Sequence, residues 1–411
     1  MSLFDFFRSK RDSSSPAGSE VTQNEFARLM MDALQGGGAE GLSYDADHFS
    51  LKIAQHNGIF LLNNAYDEYR VATPDQRPQL IRHYALSQSR PSPKVSEDWE
   101  EAAPCLLPLL RSRTLFENLT TPEKAEDRVV WEPLGTSLGL ALGYDLPTTV
   151  TYVQNKFLTL WGVSYEQALS RACENLLTKS TEPFIEISPG LFKSPWADAH
   201  DPARMVIPEV ISRLKLAGRP VAGVPHRNLL LVAGSEDATA LTALAAAMEK
   251  ERDQPRANTC CVYMLEASGW KPFVPPPQHP AYAGLLRLQL ITEARDYAEQ
   301  ANRLEAEHKK SGRDIFVAKI SVVTERNTNL TWSYAVWVRD LPTLLPRTDY
   351  IALVDPLLPE KQQMLGRVPW DEVAARCPEL GQPTPGYPPR FYLQGFPTAE
   401  ALAELRPQAP N

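Results

Sequence analysis

Two spacings of apolar residues recur along the chain, and each predicts a different kind of element. Phe49, Leu51 and Ile53 alternate with polar residues, and an Asn-Gly pair follows them. This alternation predicts a β-meander across residues 42–62. In the C-terminal third, apolar residues recur at spacings of three and four, which predicts one long amphipathic helix over residues 284–311.

Two uninterrupted apolar runs mark the centre of the chain. Val221–Val224 and Leu229–Ala233 are separated by the turn residues Pro225-His226-Arg227-Asn228. Short apolar runs of this kind suit strands that are buried on both faces of a sheet. A helical pattern begins directly after Gly234, with Ser235 as its predicted N-cap. This strand–helix unit predicts a sheet that is covered by helices.

The order of these patterns predicts an α/β fold of the mixed α+β kind. It comprises an N-terminal β-meander with helices, a central mixed sheet covered by helices, and a smaller C-terminal α+β module. Prolines at 275–277 indicate a stiff linker between domains. The predicted segments are a flexible amphipathic tail at 1–20, an α/β domain at 21–274 with subdomains 21–100 and 101–274, and the C-terminal module at 275–411 with the helix 284–311.

A net charge of −8 and five cysteines narrow the class of protein. The acidic balance argues against nucleic-acid binding, because there is no excess of Lys and Arg to displace counterions from phosphates. No apolar run approaches the roughly 18 residues of a membrane span, and no secretory signal is visible. The cysteines are odd in number and lack a C-x-x-C spacing, which favours free thiols in a reducing cytoplasm with no disulfide partner.

The first eleven residues combine apolar and cationic side chains. Leu3, Phe4, Phe6 and Phe7 precede three basic residues. A short segment of this kind makes weak contact with a membrane surface, which is one interpretation. The alternative is a tail helix that docks on its own protein or on a partner. A peripheral membrane protein would co-sediment with liposomes, and Phe6→Asp plus Phe7→Asp would abolish that co-sedimentation.

Five segments carry a resemblance to a known family. They are Pro108-Leu-Leu-Arg111-Ser112, Glu174-Asn175-Leu176, Gly190-Leu-Phe192, Asp201–Arg204 and Val224-Pro225-His226-Arg227-Asn228. In order and spacing they resemble the uncharacterised bacterial family typified by YtpQ, over about residues 21–274. The resemblance implies an intracellular bacterial protein with a mixed α/β domain, and it implies no particular activity. The chain departs from the family pattern at Pro208, which interrupts a helix, and at Asn228, where an acidic residue is expected.

Polar residues at predicted turns and strand ends are the candidates for a binding site. His226 is a candidate general base and Arg227 a candidate clamp for carboxylate or phosphate, unless both cap backbone groups at their turn. Arg111 and Ser112 stand at the end of another predicted strand, where α/β sheets hold ligands. Asn175 lies on an otherwise apolar helix face, so its amide is expected to bond a neighbouring loop. Convergence of these residues in one cleft would favour a hydrolase or transferase.

No motif of a catalytic, nucleotide or metal site is present in the sequence. The G-x-S-x-G elbow, the G-x-G-x-x-G turn and the P-loop are all missing. The histidines are scattered without the spacing of a zinc site, and the aspartates beside His48 suit a hairpin turn. The sequence therefore predicts no cofactor and no metal.

The favoured function is a non-catalytic binding or regulatory module with an unidentified protein partner. Trp332, Tyr334 and Trp337 follow one another on a predicted C-terminal strand. They suit a partner surface if they are exposed and a hydrophobic core if they are buried. The alternatives are the hydrolase or transferase built on His226 and Arg227, and the peripheral membrane protein.

Overall fold

The structure is a computed structural model that describes residues 21–46, 49–54, 58–88, 94–119, 124–146, 149–325, 330–405 and 407. Two predictions lie outside the described residues. They concern the tail 1–20 with Leu3, Phe4, Phe6 and Phe7, and the hairpin turn that carries Asp47 and His48. The chain divides into two units, Met1–Lys94 and Val95–Asn411.

The described part of the first unit is a three-stranded sheet with helices. Its elements are α1 (Gln23–Gly36), β1 (Leu42–Asp45), β2 (Ser50–Ile53), β3 (Gly58–Leu61), α2 (Asn63–Val71) and α3 (Arg77–Gln88). The strands pair antiparallel in chain order, which confirms the β-meander. Thr22 and Glu25 bond each other's backbone N–H groups and so begin α1 with a capping box. Phe26, Met30 and Leu51 are fully buried in the core of this unit.

The second unit begins with a four-stranded antiparallel sheet. Its elements are α4 (Trp99–Ala102), a 3-10 turn (Ala103–Cys105), β4 (Leu106–Ser112), α5 (Arg113–Glu117), a second 3-10 turn (Ala125–Asp127), β5 (Trp131–Leu134), β6 (Leu138–Leu146), β7 (Thr149–Tyr152), α6 (Asn155–Trp161) and α7 (Tyr165–Thr178). β6 lies in the middle, with β4 on one side and β5 and β7 on the other. Arg111 and Ser112 therefore stand at a strand end, as predicted.

A six-stranded sheet follows. Its elements and their connections are β8 (Ile185–Ser188), β9 (Leu191–Lys193), a 3-10 helix (Asp201–Val206), α8 (Pro208–Ile211), β10 (Pro220–Gly223), β11 (Leu231–Gly234), α9 (Ala238–Glu251), β12 (Val262–Glu266) and β13 (Gly269–Pro272). β11 is buried throughout and β10 is buried from Val221 onward, which confirms the central pair of strands. Pro208 occupies the first position of α8, so it starts a new helix instead of kinking an old one.

Two expectations for this sheet are corrected. The strand order is β13-β12-β10-β11-β9-β8, and every pair is antiparallel, so the expected mixed pairing is wrong although the mixed α/β class is confirmed. The reason is that α9 carries the chain past β11, and β12 then pairs with β10. The predicted cap is also wrong: Asp237 accepts the Ala240 N–H at the start of α9. Ser235 instead accepts the N–H of Arg219.

The remainder of the unit consists of one long helix and two small sheets. Its elements are α10 (Tyr282–Ser311), β14 (Phe316–Val317), β15 (Ser321–Thr324), β16 (Thr331–Val338), β17 (Thr343–Pro346), β18 (Tyr350–Val354), a 3-10 turn (Glu360–Gln362), β19 (Met364–Pro369), α11 (Trp370–Arg376), a last 3-10 turn (Pro378–Leu380), β20 (Arg390–Leu393) and α12 (Ala399–Leu405). α10 confirms the predicted long helix. The parallel pairs, β14 with β17 and β16 with β18, occur here. Trp337 is buried, while Trp332 and Tyr334 are half-buried.

Residues on both sides of the 275–277 prolines belong to the same unit. The Cys260 N–H donates to Thr292 Oγ1 on α10 at 2.9 Å, so the long helix packs against the preceding sheet. The domain boundary expected between 274 and 275 thus lies inside the second unit. The division of the chain, after Lys94, falls close to the subdomain boundary expected at 100. No helix among the described residues is long and apolar enough to cross a bilayer, and all five cysteines are free.

Candidate functional site

β4 lies at the edge of its sheet, so no strand pairs with its outer side. Side chains from other elements form hydrogen bonds with the backbone carbonyls on that side. The three contacts are Asn175 Nδ2 to Leu106 O at 2.9 Å, His200 Nδ1 to Pro108 O at 3.2 Å, and Asn258 Nδ2 to Leu110 O at 3.2 Å. Because a carbonyl only accepts, Nδ1 of His200 carries a proton. Burial lowers the pKa of His200, although its bond to the Pro108 carbonyl raises it, which favours the neutral ring.

Asn175 and Ser112 both make structural contacts. Nδ2 of Asn175 also donates to Ala103 O at 2.7 Å, so this amide ties α7 to the beginning of β4, as its apolar surroundings indicated. Ser112 Oγ lies 2.7 Å from Thr114 Oγ1 at the start of α5. Arg111 stands at the other end of β4, roughly 16 Å along the strand from the carbonyls that Asn175 bonds. Asn175 and Arg111 therefore do not share one cleft.

The turn between β10 and β11 holds His226 against the end of α9. His226 Nε2 lies 3.6 Å from the Glu251 carboxylate, and Nδ1 accepts the Asn228 N–H at 3.3 Å. Burial lowers the pKa of His226, although the charge of Glu251 raises it. Among the described residues, no hydroxyl or thiol lies within hydrogen-bond distance of the ring. Arg227 is close enough to Arg111 for its charge to act on that guanidinium, so these two predicted residues are neighbours.

A strained loop before the 3-10 helix contacts the same turn. Ala197 and Ala199 adopt left-handed φ angles of 51° and 65°. Between them, Asp198 accepts two hydrogen bonds, of 2.8 and 2.7 Å, from the fully buried Arg204. Burial raises the pKa of Asp198, but the hydrogen bonds and charge of Arg204 prevail and lower it to about 2. The Ala199 N–H donates to Asn228 Oδ1 at 3.1 Å, an acceptor role that the expected acidic residue would also fill.

A cavity of about 590 Å³ lies between α10 and the C-terminal sheets, and none of the site residues predicted from the sequence lines it. The long helix contributes Glu293 and Asp296 to its lining. Trp370 and several prolines contribute apolar surface. Arg347 and Asp371 also line the cavity, and their side chains are 65% and 88% exposed, so they mark where it meets solvent.

Asp296 is the most unusual group in this cavity. It is 1% exposed, and its Oδ2 accepts a hydrogen bond of 2.6 Å from the Tyr387 hydroxyl. Its Oδ1 is buried and has no hydrogen-bond partner among the described residues. Burial raises the pKa of Asp296 to about 7, against the lowering effects of Tyr387 and Arg295. Near neutral pH this carboxyl is therefore poised between its protonated and ionised forms.

The charges that line the cavity are mainly negative. Four carboxylates, those of Glu293, Asp296, Asp349 and Asp371, face a single guanidinium, that of Arg347. Asp349 already accepts hydrogen bonds of 2.7 and 2.8 Å from the N–H and hydroxyl of one serine on β16. Asp371 lies 3.5 Å from Arg347. Glu293 accepts a hydrogen bond of 2.9 Å from Gln289 on the same helix, and together with Asp296, one helical turn away, it forms the negative pole.

The lining also carries hydroxyl groups and a thiol, among them those of Ser137 and Cys261. Ser137 Oγ lies 2.7 Å from Thr259 Oγ1 and 2.6 Å from the Tyr263 hydroxyl, so this network is internally satisfied. Burial raises the pKa of Cys261 to about 12, which keeps the thiol protonated and a poor nucleophile at neutral pH. The Arg113 guanidinium lies 4.1 Å from the centre of the Tyr387 ring. Positioning of a ligand suits this lining better than nucleophilic attack.

Sequence reasoning missed this cavity because its two acids lie on an amphipathic helix. Charged residues on such a helix are ordinarily solvated. The available signal was the position of Asp296 directly before Tyr297, which belongs to the apolar stripe of α10. A carboxylate beside the core-facing stripe is a candidate for burial.

Comparison with protein-family models, with curated protein sequences and with solved structures finds no match for this chain. In the part of the chain that the structure describes, no three His, Cys, Asp or Glu side chains are grouped so that they could hold a metal ion. The geometry of the cavity is therefore the basis for assigning a function.

Proposed function

We propose that the chain is a non-catalytic binding protein whose cavity takes up a ligand with a positively charged nitrogen. The observation that carries this proposal is the Asp296 carboxylate, which is buried in the lining while its Oδ1 has no partner among the described residues. A buried acceptor without a partner costs free energy, and a bound N–H donor would remove that cost.

The rest of the lining supports a cationic group. Glu293 and Asp296 supply negative charge, and a charged N–H bonds a carboxylate more strongly than a neutral donor does. Tyr350, Trp370 and Tyr387 supply aromatic surface, which attracts ammonium and guanidinium groups.

Ligand binding is expected to be coupled to loss of a proton. A cation beside Asp296 stabilises the ionised carboxylate, so binding favours deprotonation of this group. Since burial raises the pKa of Asp296 to about 7, affinity should increase as the pH rises through that value. Arg295 and Tyr387 act in the same direction as the ligand, while Glu293 and Glu299 oppose ionisation.

Isothermal titration calorimetry with agmatine and 1,4-diaminobutane tests the proposal directly, and 1,4-butanediol serves as the uncharged probe. The two amines should bind, with release of protons measured in buffers of different ionisation enthalpy. Asp296→Asn keeps the shape of the side chain and should weaken amine binding at least about tenfold. Asp371→Asn at the exposed boundary is the matched control and should bind nearly as tightly as the original chain.

Equal affinity for the amines and the diol, or unchanged amine binding in Asp296→Asn, would contradict the proposal. A cationic group can also come from a lysine or arginine side chain of a protein partner, the kind of partner predicted from the sequence. Lys- and Arg-containing peptides therefore form a second arm of the titration. Preference for the peptides would indicate a protein partner, and preference for the free amines would indicate a small metabolite.

Two further proposals concern the cellular location of the protein and the family to which it belongs. Five free cysteines favour a cytoplasmic protein, which fractionation of cells that express a tagged chain would test. Membership of residues 21–274 in the YtpQ-like family is the second proposal, and two of its quoted segments contact the loop directly before Asp201–Arg204. His200, next to the segment Asp201–Arg204, bonds the Pro108 carbonyl, and Asn228 bonds the Ala199 N–H. A structure of a YtpQ-like protein without these contacts would count against membership.

The hydrolase or transferase alternative remains a prediction. It is supported by Arg227, which follows His226 in the same turn and is close enough to Arg111 for its charge to act there. It is weakened by the separate position of Asn175. A turnover activity that is lost in His226→Gln and kept in Asp296→Asn would favour this alternative over the cavity.

A further inference from the structure

Two carboxylates on α10, those of Glu293 and Asp296, line the same cavity. Residues three positions apart on a helix lie on one face, with about 5–6 Å between their Cβ atoms. In the described part of the chain, neither carboxylate forms an ion pair with a Lys or Arg side chain, and Arg347 of the lining pairs with Asp371 instead. The cavity therefore holds two adjacent negative charges that lack a cationic partner.

Each of these carboxylates keeps one oxygen that accepts no hydrogen bond from a described residue. In Asp296, which is 1% exposed, Oδ2 accepts from Tyr387 and the buried Oδ1 has no partner. In Glu293, Oε1 accepts from Gln289 Nε2 at 2.9 Å, which leaves Oε2. The buried Oδ1 indicates a donor that the described chain does not supply, and Oε2 offers a second acceptor one helical turn away.

The two acids repel each other when both are ionised. Burial raises the pKa of Asp296 and of Glu293, and the charge of Glu293 adds to the increase at Asp296. Like charges one helical turn apart destabilise a helix. A single ammonium group at Asp296 would leave the charge of Glu293 uncompensated, whereas two ammonium groups would neutralise both carboxylates.

Apolar surface lies beside the two acids. Leu290 and Leu286 precede Glu293 by one and two helical turns and also line the cavity, as does Pro369. Methylene groups that contact these side chains are removed from water, which favours binding. The lining therefore suits a ligand in which an aliphatic chain joins the charged groups.

We propose that the cavity selects an aliphatic diamine, with one ammonium group at Asp296 and the other at Glu293. This inference rests on the function proposed above and names the class of ligand. Once the first ammonium group is bound, the chain holds the second one close to its carboxylate, so the second contact forms within the complex. A diamine should therefore bind more tightly than a monoamine of the same length.

Calorimetric titration at pH 8, above the pKa of about 7 of Asp296, tests this inference with three probes of equal chain length. The probes 1,4-diaminobutane, 4-amino-1-butanol and 1,4-butanediol carry two, one and no ammonium groups. The diamine should bind at least about tenfold more tightly than the amino alcohol, because a charged donor bonds a carboxylate more strongly than a hydroxyl does. Equal affinity for these two amines would overturn the inference and leave the proposed function intact. Absence of binding by both amines would overturn both.

Variants locate the second ammonium group. Glu293→Gln keeps the length of the side chain and an oxygen for the bond from Gln289, but it removes the charge. It should weaken diamine binding at least about tenfold and change the affinity for the amino alcohol little, whereas Asp296→Asn should weaken the binding of both. Glu307→Gln, at an exposed position of the same helix, is the matched control and should keep the preference for the diamine. A preference that persists in Glu293→Gln would overturn the inference.

Discussion

The Tyr387 hydroxyl donates a hydrogen bond of 2.6 Å to Oδ2 of Asp296, across 91 positions of sequence. It links the segment before β20 to the middle of α10 and fixes the carboxylate at the cavity. Since Oδ2 is engaged, Oδ1 is the atom that remains for a ligand. The ionisation of Asp296 and the binding of a cation therefore depend on the same carboxylate group.

Tyr387→Phe should raise the pKa of Asp296 above its value of about 7, because the hydroxyl favours the ionised form. Titration of the side-chain carboxyl carbon by nuclear magnetic resonance measures this change. Tyr350→Phe, elsewhere on the same lining, is the control and should leave the titration of Asp296 unchanged. A Tyr387→Phe titration that superimposes on the original would show that the hydrogen bond does not act on the carboxyl.

Asp296→Asn should stabilise the protein at alkaline pH and have little effect at acidic pH. The folded pKa of about 7 exceeds the ordinary value of 3.8, so the folded state keeps a proton that the unfolded state releases. The contribution of Asp296 to the free energy of unfolding is therefore lost as the pH rises toward 7. Asparagine cannot ionise, so the variant should gain on the order of 4 kcal/mol in unfolding free energy near pH 8. Urea unfolding at both pH values provides the measurement, and a gain that is equal at both would contradict the assignment.

Asp198→Asn should destabilise the second unit strongly. Arg204 is fully buried and loses its charged partner in this variant, while its bond to the Ser180 hydroxyl remains. Because Asp198 is 37% exposed, solvent screens the pair in part, and the expected loss is about 2 kcal/mol, below the cost of breaking a fully buried pair. Chemical denaturation measures the loss. The control is Asp253→Asn, since Asp253 is 84% exposed beside Arg252, and a similar loss in both variants would contradict this account of the loop.

Asn175→Asp replaces a donor by a group that only accepts. The new carboxylate would face the carbonyls of Ala103 and Leu106, which would lose their donors. We expect a loss of about 2 kcal/mol in the free energy of unfolding at neutral pH, measured by denaturation. Asn155→Asp, at an exposed amide bonded to Ala125 O, should cost much less. Equal costs would mean that the edge of β4 does not depend on Asn175.

Local elements were predictable where a single stretch of sequence contained all the determinants. The alternation around Leu51, the buried runs beside Pro225 and the stripe that includes Tyr297 each specified an element, because burial on one face imposes the period of a strand or helix. Asn175 was interpreted correctly for the same reason: an amide on an apolar helix face needs partners nearby. Strand partners were not predictable in the same way. Antiparallel pairing of β12 with β10 depends on where α9 returns the chain.

Helices and strands follow from neighbouring residues, whereas the candidate sites depend on residues that are distant in sequence. The sequence by itself determined that Arg111 lies at a strand end and that His226 and Arg227 lie in a turn. These local positions follow from the residues next to them in the chain. Only the tertiary structure decided that Asp296 and Tyr387 share a cavity. Burial changes the pKa of a carboxyl or guanidinium by excluding water, and the neighbours that exclude water from these groups are distant in sequence.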